Sequence, residues 1–141
     1  MENQQVRGMK VLLLASSLLS IAVFAVVAYQ ENFTGEWRDA QRRYRELLVR
    51  SAANENARRA AAAFRVEHKQ VYLEDLRGID RCTTCHLGVE NPSMAAAPAP
   101  LTRHPGDILA IHPVERFGCT ACHDGQGRAV AKEEAHGWTA A

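Results

Sequence analysis

Every cysteine in this 141-residue chain belongs to one of two copies of a single string, Cys-x-x-Cys-His: Cys82-Thr83-Thr84-Cys85-His86 and Cys119-Thr120-Ala121-Cys122-His123. The spacing suits covalent attachment of c-type haem. Two thiols add across the two vinyl groups of one haem, and the histidine that follows lies under the iron as its proximal ligand. On this reading Cys82, Cys85, Cys119 and Cys122 carry two haems, His86 and His123 are the proximal ligands, and the function is electron transfer.

Other uses of paired cysteines explain less. Four thiolates around one tetrahedral zinc would leave the histidine after each second cysteine idle. A thioredoxin-like site needs one CxxC on a βαβ pattern, and no strand pattern precedes either motif. A disulfide inside each motif also leaves both histidines without a part.

Residues Val11 to Tyr29 form an uncharged apolar run interrupted only by Ser16, Ser17 and Ser20. As a helix, 19 residues span about 28 Å, close to the hydrocarbon thickness of a bilayer. Arg7 and Lys10 precede it and Glu31 is the first charge beyond it. The positive-inside rule then keeps residues 1–10 in the cytoplasm and sends the remainder out. Val26-Val27-Ala28 offers small residues near a signal-peptidase site, but the run is long for a cleaved signal, so a retained anchor is expected. Either way the cysteine motifs reach the periplasmic side of a bacterial inner membrane, where haem attachment to cytochromes c takes place.

The expected fold class is mainly α. A single transmembrane anchor spans 11–29, a helical stem spans 30–69, and a small haem-organised domain of short helices and loops spans 70–141. Seventeen basic against sixteen acidic residues argue against nucleic acid as a partner. Charge is uneven, with nine basic and five acidic residues in 36–69 and six against nine in 70–141. The basic stem could meet anionic headgroups or an acidic subunit, or simply be a solvated helix surface. Thr34 is a candidate N-cap. Glu36 to about His68, without Pro or Gly, predicts one long helix. Its apolar face (Trp37, Ala40, Tyr44, Leu47, Leu48) suits either a neighbouring helix or the chain's own haem domain. Val71, Leu73 and Leu76 lead into the first motif, and Cys82 to Gly88 and Gly106 to Ile111 predict short helices. Asn91 to Pro100 reads as an extended crossing, and nothing demands strands. With few apolar residues outside the anchor, the haems themselves are expected to supply much of the core.

Four histidines lie outside the motifs: His68, His104, His112 and His136. That exceeds the vacancies, so bis-histidine ligation is the economical reading. Seven residues before Cys119, His112 must round its own haem's edge to reach the distal face, and serves the other haem more easily. It, or failing it His104, is assigned to the first haem; His136, with slack after His123, to the second. His68 is expected on the surface or at a propionate, and Met94 is expected to pack. Some of Arg81, Arg103, Arg116 and Arg128 are expected to pair with propionates.

The stretches Ile79-Asp80-Arg81-CTTCH-Leu87-Gly88 and His104-Pro105-Gly106…His112-Pro113-Val114-Glu115-Arg116-Phe117-Gly118-CTACH-Asp124-Gly125-Gln126-Gly127-Arg128-Ala129 are similar to bacterial multihaem cytochromes c. The chain resembles membrane-anchored dihaem cytochromes associated with respiratory or photosynthetic quinol-oxidising, cytochrome bc-like complexes. An Ala-His-Gly element after the second motif, as in some of those sequences, is matched by Ala135-His136-Gly137 and supports His136 as a ligand. The resemblance implies membrane-complex subunits as partners and a soluble or membrane-bound electron acceptor. An electron carrier rather than an enzyme is therefore expected. The alternatives are a haem enzyme of peroxidase or reductase type, which needs one open iron position, and an assembly subunit built around the stem.

Overall fold

A computed structural model describes residues 2–75 and 77–137. The chain forms two compact units, Met1–Gly35 and Glu36–Ala141.

In the first unit, α1 (Glu2–Tyr29) is an uninterrupted helix of 28 residues. Its most apolar window has mean hydropathy 2.7, and none of that window is buried. Phe24 is 75% exposed and Leu12 71%, so the helix offers apolar surface all round, which in water would be unfavourable. The three serines do not spoil that surface: the hydroxyls of Ser16 and Ser17 donate to the Leu13 carbonyl and that of Ser20 to Ser16. Backbone polar groups are satisfied within the helix itself, as a bilayer requires. This helix is long and apolar enough to cross a membrane.

A π-helical turn, Gln30–Thr34, follows α1. Thr34 is not the N-cap its sequence position promises. Its hydroxyl donates back to the Gln30 carbonyl at 2.9 Å, and the next helix starts after Glu36 without a side-chain cap.

The second unit opens with that helix, α2 (Trp37–Arg50), but the single long helix expected to His68 is broken. Ser51 ends α2 by donating its hydroxyl to the Leu47 carbonyl. Asn54 starts α3 (Glu55–Ala62) by accepting from the Ala57 N–H. A stop and a start three residues apart let α3 pack on α2. The apolar face of α2 then meets its own unit: Ala40 and Tyr44 join Met94 and Leu101 in the core, with Phe64 edge-on to Tyr44 at 5.5 Å between ring centres.

Beyond α3 the chain is extended until a short antiparallel hairpin, β1 (Val71–Leu73) and β2 (Gly78–Asp80), registers Val71 with Asp80 and Leu73 with Gly78. Three residues per strand are too few to show the alternation that marks strands in a sequence. Leu76, expected in the same apolar stretch, lies outside the described residues. Residues 91–100 are folded rather than an extended crossing. Asn91 accepts from the Ser93 N–H, capping the turn Pro92–Met94 and turning Met94 inward, while its amide donates to the Tyr44 hydroxyl at 3.0 Å. Backbone approaches closely here. A Cβ on Gly88 would stand 1.7 Å from the Leu101 carbonyl oxygen, so only glycine fits. Short helices α4 (Ile108–Ile111), α5 (Val114–Phe117) and α6 (Lys132–His136) complete the unit.

Candidate functional site

Both motifs begin on the same carboxylate. Asp80, at the end of β2, is 1% exposed. One of its oxygens accepts from the Cys82 N–H at 3.0 Å. The other accepts from the Cys119 N–H at 2.8 Å, the Thr120 N–H at 2.9 Å and the Thr120 hydroxyl at 3.1 Å. Burial alone would raise the Asp80 pKa, but the hydrogen bonds from Thr120, Cys82 and Cys119 outweigh it and hold the carboxyl below its ordinary value. Gly118 makes the approach possible. Its backbone (φ 64°, ψ −164°) is one that only glycine adopts comfortably. A Cβ there would also lie 2.9 Å from an Asp80 carboxylate oxygen and 3.0 Å from Leu73.

As a result, ligand atoms of Asp80, Cys82 and Cys119 lie within 4.8 Å of one another. The Cys82 thiol is pushed well up, first by its hydrogen bond with Cys119, then by burial and by Asp80. Burial, then Glu36, raises Cys85.

Each motif closes into one helical turn with the same bonds. Cys85 and His86 N–H groups donate to the Cys82 carbonyl at 3.1 and 2.9 Å; Cys122 and His123 donate to Cys119 at 3.1 and 2.9 Å. Residues three and four apart on such a turn share a face, so both thiols and the histidine of a motif point to one side. The first turn (Cys82–Thr84) is fastened from beneath. Buried Thr84 accepts from the Lys69 N–H and donates to its carbonyl. Buried Gln41 of α2 donates to the Thr84 and Glu67 carbonyls and accepts from the Glu67 N–H.

Each motif histidine faces a histidine from elsewhere. His86 and His136 have ring centres 6.0 Å apart with planes at 72°, and His104 and His123 stand at 6.1 Å and 69°. Metal–imidazole bonds of about 2.0–2.1 Å on opposite sides of one ion, with each ring centre about 1.1 Å behind its nitrogen, call for just over 6 Å. Both outer histidines are also tied in the manner of metal ligands. The Nδ1 of His136 is 2.9 Å from the Lys132 carbonyl oxygen and that of His104 is 2.8 Å from that of Pro105. A carbonyl accepts only, so each Nδ1 must donate, and in the neutral ring the lone pair is then on Nε2. Burial, then the charges of His136 and His123, lower the His86 pKa and favour the neutral imidazole that binds metal.

No family model, curated relative or solved structure matches this chain.

The pairing differs from that expected by counting residues. His136 stands opposite the first motif's histidine, not the second's, and His104 opposite the second's. The reason is local. The Gln126 N–H donates to the Ala135 carbonyl at 2.8 Å, folding α6 back along the second motif's own tail. The His104 N–H donates to the Val89 carbonyl at 3.0 Å, which fixes the path of the chain before α4. His112, expected over the first haem, instead packs its ring on Phe117 at 4.9 Å, with Nδ1 buried and unpartnered. His68 rests on Trp37, ring centres 4.3 Å apart. Among the nearby arginines, Arg81 donates to Gln70 and to the Arg128 carbonyl, Arg103 pairs with Asp107, and Arg116 lies over Phe117. Asp80, Gln41, Thr84 and Gly118 were not marked out by any motif rule. Asp80 had one weak signal, its position two residues before Cys82 in the flank of a CxxCH string.

Proposed function

We propose that this chain is a membrane-anchored dihaem cytochrome c that relays electrons on the periplasmic side of a bacterial inner membrane. The observation that carries the reading is the pairing of each motif histidine with an outer histidine at 6.0 and 6.1 Å, each outer Nδ1 being held by a backbone carbonyl. Cys82 and Cys85 would hold one haem between His86 and His136, and Cys119 and Cys122 the other between His123 and His104. Bound haem would supply one-electron iron chemistry. The chain's part is to orient the outer imidazoles through their Nδ1 bonds to backbone carbonyls, and to bury one edge of each attachment turn. Two imidazoles per iron leave no exchangeable position, which favours a carrier over a peroxidase- or reductase-type enzyme. Arg7 and Lys10 before the apolar helix favour an inward N-terminus. Subunits of a quinol-oxidising membrane complex are proposed as donors, and a soluble or membrane-bound carrier as acceptor.

A second reading has its own observation: the Asp80, Cys82 and Cys119 ligand atoms lie close enough to hold one metal ion. Against it, the Asp80 oxygens already accept four hydrogen bonds, which uses the carboxylate's lone pairs. It also leaves the paired histidines unexplained. Intact-mass measurement and a haemochrome spectrum of protein matured in a host with cytochrome c assembly machinery decide between them. Two covalently added haems are expected; an unmodified chain, or stoichiometric zinc, overturns the proposal.

A further inference from the structure

Asp80 does more than cap a turn. Among the described residues it is the one side chain that hydrogen-bonds the start of both cysteine motifs, and it does so from a site 1% exposed. Three consequences follow from its four bonds. The first is register: with Cys82 N–H on one oxygen and Cys119 N–H on the other, neither motif can shift along its chain without breaking a buried bond. Second, the Cys82 and Cys119 sulfurs become neighbours, within 4.8 Å. The third is charge: a carboxylate held below its ordinary pKa stays ionised beside both sulfurs. The surroundings reinforce the arrangement. The Arg81 N–H donates to the Gly127 carbonyl at 2.7 Å and the Arg81 guanidinium to the Arg128 carbonyl at 3.1 Å, which ties the tail of the second motif to the head of the first. A Cβ on Gly127 would meet the Ile79 carbonyl at 2.8 Å, so this seam is closed backbone against backbone.

Resting on the dihaem reading above, we infer that Asp80 is the positioning residue that joins the two haem-attachment segments, so that the two haems meet at their bonded edges and share one fixed negative charge. Each of the neighbouring sulfurs is bonded to the edge of its own haem, and the two edges are therefore brought together. A fixed anion there opposes the arrival of an electron on either haem, which lowers both reduction potentials; net charge near the cofactor is one of the protein's levers on potential.

The test uses the full-length, haem-loaded protein in detergent. The native protein is expected to show a bisignate Soret circular dichroism signal, the signature of two porphyrins in close electronic contact. Asp80→Asn keeps the size of the side chain but removes the charge and replaces one acceptor with a donor. It is expected to raise both midpoints in a mediated dithionite titration, by about tenfold in each reduction equilibrium, or about 59 mV for one electron. Asp39→Asn, at an exposed position of α2, removes the same charge elsewhere and is expected to leave both midpoints in place. A purely structural Asp80 would change stability without moving the two midpoints upward together. Two haems on the native chain with a single-signed Soret band overturn the inference while the dihaem function stands. So do unmoved midpoints in a haem-loaded Asp80→Asn. A native chain without haem overturns the function itself. The dichroism measurement needs no variant, so failure of Asp80→Asn to mature does not remove the test.

Discussion

The imidazoles of His86 and His136 face each other at 6.0 Å, one from the turn of the first cysteine motif and the other from the last helix of the described chain. An ion held by both would tie the last helix to the middle of the second unit. His104 and His123 repeat the relationship at 6.1 Å. His112, nearer in sequence to the second motif than His104, takes no part in either pair.

On the proposed function, removing one outer histidine should therefore affect one haem alone. His136→Ala is expected to convert half of the low-spin haem to a high-spin, cyanide-binding form, and His104→Ala the other half. His112→Ala is expected to leave the optical and electron paramagnetic resonance spectra of both haems six-coordinate. Spectra of the three variants check the assignment; a high-spin haem in His112→Ala would reverse it.

Gly118→Ala places a side chain in a backbone region costing about 1–3 kcal/mol. It also drives the new Cβ against Asp80 and Leu73. The haem-loaded variant is expected to unfold several degrees below the native protein in a thermal melt followed by circular dichroism.

Gln41→Leu fits the space but leaves the Thr84 carbonyl unpaired in the interior, and takes their partner from the Glu67 N–H and carbonyl. At about 1–3 kcal/mol for an unsatisfied buried group, the expected loss is about 3 kcal/mol in denaturant unfolding of the holoprotein. The first haem's surroundings should loosen first, because Gln41 reaches Thr84 inside that motif.

Acid should act through Asp80. Its folded pKa lies below the unfolded value of about 3.9, so its contribution to stability is fully present above that value and is lost as pH falls through the folded one. Far-ultraviolet circular dichroism against pH is expected to show the native protein giving way below about pH 4, and Asp80→Asn losing less of its already reduced stability over the same range.

On the proposed function, loss of the haems would be the most severe perturbation. The buried apolar residues among those described are Trp37, Ala40, Tyr44, Ala61, Leu73, Met94, Leu101 and Val114, a thin core for a unit of this size. With all four cysteines replaced by alanine, the second unit is expected to show no cooperative melt, since cofactor binding and folding are linked. A sharp transition in that variant would count against the haems as part of the core.

Legibility followed range. The apolar helix could be read because length and lack of charge are properties of a contiguous run, and the helical turn of each motif because its bonds close within four residues. The break between α2 and α3 was hidden: Ser51 and Asn54 are ordinary in a helix-favouring stretch, and only their succession as stop and start ends it. Gln41, and the part of Asp80 that joins the second motif, could not be singled out, because the partners involved lie 26 to 43 positions away. The neighbours of the outer histidines are hidden for the same reason: slack along the chain says little, whereas the Gln126–Ala135 bond decides where the last helix goes.

A chain with two such motifs is easily imagined as a pair of interchangeable beads. The bridging of Cys82 and Cys119 by a single buried carboxylate makes this pair indivisible. Excising either bead would strand an anion in the interior opposite missing donors, and would part His86 from His136.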